Sequence, residues 1–260
     1  MQKWMIVCVF FVFISALAAG CAPATFTNPV QVNATVNDSI TSLGIAIDGD
    51  GVKHIVGLKE NKIVYFKVNV GQPILQFTMD WGLLPPGTDT STWKQYNPKV
   101  AALSDGTVYI VWFETRANLS EKTACYFKID PDALPTKLHN CNSLDAGNFT
   151  TGLVRVIAQG DTAYAVYSRV HSSGYVDSVW YKKFKELTTT GKVVSYLDVL
   201  EEGTIFSMDL TMDPNDKLHI AYIDKTTASP DARLWYRSDA TTGGDGSMSQ
   251  VWAVAFGGAG

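Results

Sequence analysis

The apolar positions of this chain form short runs that end at tight-turn residues, and this arrangement repeats. In each case a turn rich in Gly, Asp or Asn is followed by an apolar strand. Four such segments start 55 residues apart: 48–56, 103–111, 158–166 and 213–221. Equivalent positions after the turn hold His54, Tyr109, Tyr164 and His219. A constant spacing of this kind predicts a repeated structural unit.

Three further strands complete each unit. A short apolar strand precedes each turn, at 45–47, 100–102, 155–157 and 210–212. A strand centred on a tyrosine follows, with Tyr65, Tyr126, Tyr181 and Tyr236 at the corresponding places. The fourth strand is predicted at 74–78, 136–140, 193–198 and 250–256. No amphipathic helical stretch of useful length interrupts this series.

Four-stranded antiparallel units repeated at this length predict an all-β fold, a β-propeller whose blades are these units. The strand Val108–Phe113 is apolar throughout, which is typical of a sheet buried on both faces. A pair of β-sandwiches is the alternative, although a regular repeat fits it less well. The predicted blades span about residues 39–97, 98–152, 153–207 and 208–260.

The number of blades leaves a question open. Four blades are the lower limit for a closed ring. Residues 28–33 lie three repeats before the fourth strand of the third unit, so the spacing predicts a fourth strand there. The sequence has no matching first three strands to complete a blade with it. Either the chain is the N-terminal part of a longer propeller, or four blades close alone and one terminal strand is surplus.

The first 20 residues have the pattern of an export signal: a positive start at Lys3, an apolar run, then small residues before Cys21. Ala-Gly-Cys resembles the site at which bacterial lipoproteins are acylated. We therefore expect a signal peptide over residues 1–20, a lipid on Cys21, and residues 21–38 as a linker and possible closing strand. This predicts a membrane-anchored protein of the cell envelope that faces the periplasm or the exterior. An ordinary signal peptide or an uncleaved anchor is the alternative.

Charge and cysteine usage agree with export. The net charge is −4 and basic residues do not cluster, so nucleic acid is not an expected partner. Cys125 and Cys141 are equidistant from a turn centred on Ala133, which predicts that they face each other and form a disulfide. Two unrelated buried thiols are the alternative.

The long loops between the second and third strands, and between blades, open on the same face of a propeller. We call it the loop face, and the face with the short turns between first and second strands the turn face. Functional residues concentrate on long loops of rigid scaffolds, so the loop face is the candidate binding surface. Its candidate ligand-binding residues are Trp81, Trp93, Tyr96, Arg116, Arg169, His171 and Tyr175, and its loop carboxylates are Asp89, Asp145, Asp198, Glu201 and Glu202. Aromatic, Arg and carboxylate groups suit a glycan or another polar ligand, but the same residues can simply anchor loops onto blades.

Sequence motifs for catalysis, metals or cofactors are missing: HExxH, GxSxG, CxxC and phosphate-binding Gly loops do not occur. We therefore predict no catalytic residues, no metal and no cofactor from the sequence. His54 and His219 alternate with tyrosines at one repeated position, which indicates structural histidines.

The strand His219–Tyr222 followed by Leu234–Ser238 resembles the repeats of sialidase-like propellers. That family carries a box of Ser-x-Asp-x-Gly-x-x-Trp between its third and fourth strands. Here only Ser238-Asp239, the glycines at 243, 244 and 246, and Trp252 resemble it, with altered spacing, and the other units lack it. The resemblance implies the propeller fold. It does not assign catalytic residues to positions of this chain.

These observations favour a non-catalytic, membrane-anchored module that binds a protein or a glycan. The alternative is a glycoside hydrolase or lyase of the sialidase-like propeller type acting on extracellular polysaccharide. A structural module of a larger envelope complex is the third hypothesis.

Overall fold

A computed structural model shows four antiparallel units of four strands that follow one another along the chain. It describes residues 39–79, 93–115, 122–131, 142–144, 150–170, 176–184, 190–195, 203–215, 217–226, 232–238 and 249–256. All regular elements in these ranges are strands. The all-β prediction is therefore confirmed. No helix in the described ranges is long and apolar enough to cross a membrane.

Each unit has four strands in chain order, and we call it a blade. Blade 1 consists of β1 (Thr41–Ile47), β2 (Lys53–Lys59), β3 (Lys62–Val68) and β4 (Leu75–Thr78). Blade 2 consists of β5 (Lys94–Ala102), β6 (Val108–Thr115), β7 (Lys122–Ile129) and β8 (Asn142–Ser143). Blade 3 consists of β9 (Thr150–Gln159), β10 (Thr162–Val170), β11 (Val176–Lys183) and β12 (Thr190–Ser195). Blade 4 consists of β13 (Gly203–Met212), β14 (Leu218–Thr226), β15 (Ala232–Ser238) and β16 (Ser249–Phe256).

The first strand of each blade is longer than the sequence predicted. β5 starts at Lys94, β9 at Thr150 and β13 at Gly203, so the blades begin a few residues before the predicted boundaries. A backbone pair between Val176 and Gly203 joins blades 3 and 4 into one continuous sheet. The added residues mix polar and apolar side chains, such as Thr204 and Ile205 in β13, and this is why hydrophobic patterning alone missed them.

The hydrophobic core lies between neighbouring blades, not inside any one of them. Blades 1 and 2 share a cluster around Val56, Tyr65 and Trp112. Blades 2 and 3 share a second cluster that includes Phe113 and Tyr167, and blades 3 and 4 share a third. Alternate residues of one strand therefore enter two different cores, which explains the continuous apolar run in β6.

The register of blade 2 corrects the expected geometry of the cysteine pair. Cys125 on β7 lies opposite Ser143, and Tyr126 lies opposite Asn142. The hairpin is therefore centred one residue later than the sequence predicted. Cys141 lies outside the described residues, so the disulfide stays a prediction. The predicted fourth strand at 136–140 also lies outside them, and β8 starts at Asn142.

The turns between the first and second strands contact one another from blade to blade. Ser104 in blade 2 donates its N–H to the carbonyl of Gly160 in blade 3, at 2.7 Å. Gln159 in turn donates its Nε2–H to the carbonyl of Asp213 in blade 4, at 2.6 Å. In blade 1, a Cβ placed on Gly49 would lie 2.3 Å from the Ser104 carbonyl oxygen. The turn face is thus a series of close backbone contacts.

We expect Gly49→Ala to destabilise the protein, because the added methyl group cannot fit against the backbone of Ser104. The free energy of unfolding should fall by about 1–3 kcal/mol, as for other overpacked sites. Urea denaturation measures the loss. The matched control is Asp50→Ala at the exposed neighbouring residue, which should change stability little. Equal stability of the two variants would contradict the close contact.

Candidate functional site

The loop end of blade 2 holds a buried polar group, which we call the loop-end cluster: Gln95, Trp112 and Glu114. Glu114 is the penultimate residue of β6, just before a predicted loop, and is 4% exposed. Its Oε2 accepts a hydrogen bond from the indole N–H of Trp112, at 3.3 Å. Gln95 pairs with Glu114 across β5 and β6 and is 1% exposed.

Gln95 fixes the position of this cluster relative to blade 1. Its backbone N–H donates to the carbonyl of Asn61, at 3.0 Å. Its Oε1 accepts the backbone N–H of Ile63, at 2.7 Å. Glu60 and Asn61 form a tight turn with positive φ angles of 51° and 63°, so the amide of Gln95 binds a turn of fixed shape.

The cluster contains one hydrogen-bond donor, the Nε2–H of Gln95, and one acceptor, the carboxylate of Glu114. The Nε2 of Gln95 has no hydrogen-bond partner among the described residues. Glu114, which lies opposite Gln95 in the pair of strands, provides a carboxylate. A buried carboxylate is uncommon unless it is paired or functional. Together these two groups can accept and donate a hydrogen bond to one hydroxyl group.

The structure places three of the seven predicted ligand-binding residues. Trp93 and Tyr96 are half-buried where β5 begins, and the Tyr96 hydroxyl lies 3.5 Å from Oγ1 of Thr115. The guanidinium of Arg169 lies 3.9 Å from the centroid of the Trp180 ring. Tyr96 and Trp180 both pack against the core between blades 2 and 3. Trp81, Arg116, His171 and Tyr175 lie outside the described residues.

Neither Glu114 nor Gln95 was among the residues predicted from the sequence. A signal was available: Glu114 is the one carboxylate at the end of the apolar run Val108–Phe113. A charged residue at the end of a strand that is buried on both faces must itself lie close to the core. The buried Gln95, in contrast, follows Lys94 in a polar segment that looks like surface.

A second polar group lies at the turn face of blade 1: Asp48, His54 and Tyr65. The Nε2 of His54 lies 3.0 Å from Oδ2 of Asp48, and its Nδ1 lies 2.7 Å from the Tyr65 hydroxyl. Asp48 also accepts the N–H groups of Asp50 and Val52, which closes the turn. His54 is 1% exposed. Both ring nitrogens therefore have partners, and the group stabilises the blade.

The electrostatics determine the protonation of this group. Burial lowers the pKa of His54, and the nearby Asp48 carboxylate only partly offsets this effect. Burial also opposes ionisation of Asp48, but hydrogen bonds from His54 and Val52 outweigh it and lower the Asp48 pKa. The neutral imidazole thus donates its Nε2–H to Asp48, and its Nδ1 accepts a hydrogen bond from the Tyr65 hydroxyl.

Blade 4 repeats this group with Asp213, His219 and Tyr236. The rings of His219 and Tyr236 are stacked 5.8 Å apart, and their Nδ1 and hydroxyl are hydrogen-bonded. Blades 2 and 3 have tyrosines in place of the histidine. The position of the aspartate is then apolar, Leu103 or Ala158. The Asp and His therefore occur together or not at all, a covariation that was visible in the sequence.

The described residues contain no cluster of three or more His, Cys, Asp or Glu side chains that could hold a metal ion. Of the two polar groups, the one at the turn face has its hydrogen-bonding capacity filled. The loop-end cluster contains a buried carboxylate and the Nε2 donor of Gln95, which has no hydrogen-bond partner among the described residues, so it is the candidate functional site.

Comparison with known proteins identifies the fold. No protein-family model matches the sequence, and no curated protein sequence matches it. Solved structures do match. The α-L-arabinofuranosidase Arb93A from Fusarium graminearum superposes with a TM-score of 0.53 at 12% identity, covering 84% of this chain and 67% of the other.

Two further structures are similar. The α-L-arabinanase of Penicillium chrysogenum, complexed with arabinobiose, gives a TM-score of 0.54 at 11% identity over 82% of this chain and 66% of that one. The endo-arabinase from Bacteroides thetaiotaomicron gives 0.51 at 9% identity over 82% and 79%. The chain thus spans about two thirds of the length of the first two. At these identities the matches show the fold, a β-propeller.

The comparisons correct the functional expectation from sequence. The interpretation as a non-catalytic binding module is contradicted, because the proteins that share the fold are an arabinofuranosidase, an arabinanase and an endo-arabinase by name. The glycoside hydrolase alternative is better supported. The missing motifs explain the error, since function depends on a site, which the fold alone does not reveal.

We expect the stability of blade 1 to depend on pH through His54. The folded protein holds this imidazole neutral with a lowered pKa, so stability is complete above the unfolded pKa of about 6.5 and falls as the pH drops through the folded pKa. Urea denaturation at pH 7.5 and 5.5 measures the difference. The double variant Asp48→Leu/His54→Tyr has the residues of blade 2 at these two positions. It should remove much of the stability difference between the two pH values.

Asp48→Leu alone is the control for this swap. It leaves the Nε2–H of His54 buried without an acceptor, at a cost of about 1–3 kcal/mol. The double variant should be the more stable of the two. If both variants lose the same stability and keep the same pH dependence, the hydrogen bond between Asp48 and His54 does not stabilise the fold.

Proposed function

We propose that this protein is a glycoside hydrolase that cleaves arabinofuranosyl linkages in an extracellular polysaccharide. The observation that carries the proposal is the buried Glu114 at the loop end of a propeller whose fold is shared by arabinan-acting enzymes. The aromatic and cationic groups Tyr96, Trp180 and Arg169 lie in the neighbouring blade interface. Rings of this kind suit the apolar faces of sugars.

Hydrolysis of a glycosidic bond uses two carboxyl groups, one of which protonates the leaving oxygen. In the proposal Glu114 is one of this pair, and Gln95 holds the hydroxyl group of the sugar next to it. The partner carboxylate comes from the long loops of the loop face. The sequence places Asp89, Asp145, Asp198, Glu201 and Glu202 in those loops, all outside the described residues.

Glu114→Gln should lower kcat on linear arabinan by on the order of 10²-fold or more, because the amide has no proton to transfer. The substitution keeps the size of the side chain, and urea denaturation shows whether the variant is folded. Glu60→Gln, at an exposed residue of a turn on the same face, is the matched control and should keep full activity.

The leaving group separates a catalytic from a structural role for Glu114. A general acid matters less when the leaving group needs no protonation, so Glu114→Gln should lose less activity on 4-nitrophenyl α-L-arabinofuranoside than on arabinan. An equal loss on both substrates would exclude Glu114 as the general acid, because loss of a nucleophile, a base or a structural residue affects both substrates alike. No release of arabinose by the native protein from either substrate would contradict the proposed function.

We further propose that the protein is held on a membrane surface of the cell envelope by a lipid on Cys21. The support is the sequence pattern of residues 1–21. Two or three acyl chains anchor a protein stably, so the enzyme would act on polysaccharide near the cell surface. The predicted disulfide between Cys125 and Cys141 would form in the same oxidising compartment.

Labelling of growing bacterial cells with radioactive palmitate tests the anchor. We expect the protein to carry the label and to sediment with membranes, and Cys21→Ser to lose both properties. Cys8→Ser is the control, because it removes a cysteine of the same segment that is not an acylation site. Label retained in the Cys21→Ser variant would rule out this anchor.

A further inference from the structure

The first strand of blade 2, β5, contains a β-bulge beside the loop-end cluster. Two of its residues, Asn97 and Pro98, lie opposite the single residue Trp112 of β6. Asn97 has a positive φ angle of 46°, a left-handed conformation that Asn adopts more readily than other side chains. Pro98 has no N–H, and a strand accommodates proline at such a bulge. The pair Asn-Pro therefore encodes the irregularity.

The bulge determines which residue of β5 lies opposite Glu114. In the structure this residue is Gln95. In a regular ladder that continued from the pair of Lys99 and Val111, Tyr96 would take this place, because the register would shift by one residue. Such a shift moves every side chain to the other face of the strand. Gln95 would then face the apolar core between blades 2 and 3, against which Tyr96 packs.

Contacts with blade 1 fix both ends of the bulge. On the loop side, Gln95 accepts the N–H of Ile63 at its Oε1, at 2.7 Å, and donates its own N–H to the carbonyl of Asn61, at 3.0 Å. On the other side, Val100 is buried in the core shared with blade 1. Because neither end can slide, the additional residue between them has to be accommodated as a bulge.

The first strand of blade 1 has the same irregularity. Its register shifts between Thr41 and Gly44, and Ser42 has a φ angle of 56°. The hydroxyl of Ser42 donates to Oδ1 of Asn97, at 3.3 Å, so two bulges 55 residues apart are in contact. Register shifts also occur in the first strands of blades 3 and 4. The bulge is thus a feature of the repeat, and in blade 2 it places a buried amide opposite a buried carboxylate.

We propose that Asn97 is a positioning residue of the loop-end cluster: its left-handed backbone maintains the bulge that places Gln95, rather than Tyr96, opposite Glu114. The proposal rests on the function proposed for Glu114. In this role Asn97 acts through Gln95, which holds the hydroxyl group of the sugar. Loss of the bulge impairs catalysis even in a folded protein, since a displacement of about 1 Å in a positioning group can reduce the rate by about 100-fold.

Substitutions at position 97 separate the backbone conformation from the side chain. Asn97→Gly retains the left-handed conformation and should keep kcat on linear arabinan near the native value. Asn97→Val disfavours that conformation, and kcat should fall by about 100-fold. Equal losses of kcat in both variants would overturn the proposal, because the amide side chain would then be responsible. A native kcat in Asn97→Val would overturn it as well.

Gly71→Val is the matched control for backbone strain. Gly71 has a φ angle of 76° and open space around its Cβ position, and it lies between β3 and β4, at the opposite end of blade 1 from the loop face. This variant should lose stability in urea, as Asn97→Val does, but keep kcat. If Asn97→Val does not fold, Asn97→Ala replaces it, because alanine is less restricted than a β-branched residue at positive φ.

Cysteine cross-linking reads the register without any activity. Residues directly opposite each other in a ladder lie close enough to form a disulfide. Gln95→Cys/Glu114→Cys should therefore form this bond, and Tyr96→Cys/Glu114→Cys should not. Addition of Asn97→Val should move the disulfide from the first pair to the second, as read by peptide mass spectrometry.

An unchanged cross-linking pattern in the presence of Asn97→Val would overturn the role of Asn97 in the register. Failure of the native protein to release arabinose would overturn the proposed function and leave the cross-linking result as it stands. The inference and the proposed function can therefore fail separately.

Discussion

The burial of sheet faces between neighbouring blades is the interaction on which this fold depends. A four-stranded sheet has two faces, and neither can be left in water when its residues are Val, Ile, Tyr and Trp. Each blade is therefore stable only beside another, as the cluster of Val56, Tyr65 and Trp112 shows. This lateral packing involves the interior positions of the strands, Gly49 and the polar groups of the turns.

Much of the architecture was predictable because the packing repeats. The spacing of His54, Tyr109, Tyr164 and His219 gave the number of units and their strand order. The ends of strands were less predictable. β5 begins with Lys94 and Gln95, whose positions depend on a hydrogen bond to blade 1, and no local pattern encodes a contact with a distant turn. The register at Cys125 depends likewise on loop geometry that symmetry about a turn does not capture.

The site was less predictable than the fold. Loop aromatics such as Tyr96 were chosen for their chemistry, and the structure shows them half-buried beside a blade interface. Glu114 was overlooked because a single carboxylate has no motif. The role proposed for Glu114 depends on its burial. That burial depends on residues more than 15 positions away, such as Gln95 and Ile63. The equivalent positions of the other units are also charged, so the repeat does not distinguish Glu114 from them.

The backbone contacts along the turn face have a practical consequence for anyone who wishes to modify this protein. The carbonyl of Gly160 and the N–H of Ser104 are joined directly, so an affinity tag or a reporter domain inserted at these turns would separate adjacent blades. Insertions are tolerated best where the backbone is exposed and makes few contacts. Purification handles and immobilisation points should therefore avoid the short turns, and the same constraint would restrict natural length variation among related genes to the opposite side of the molecule.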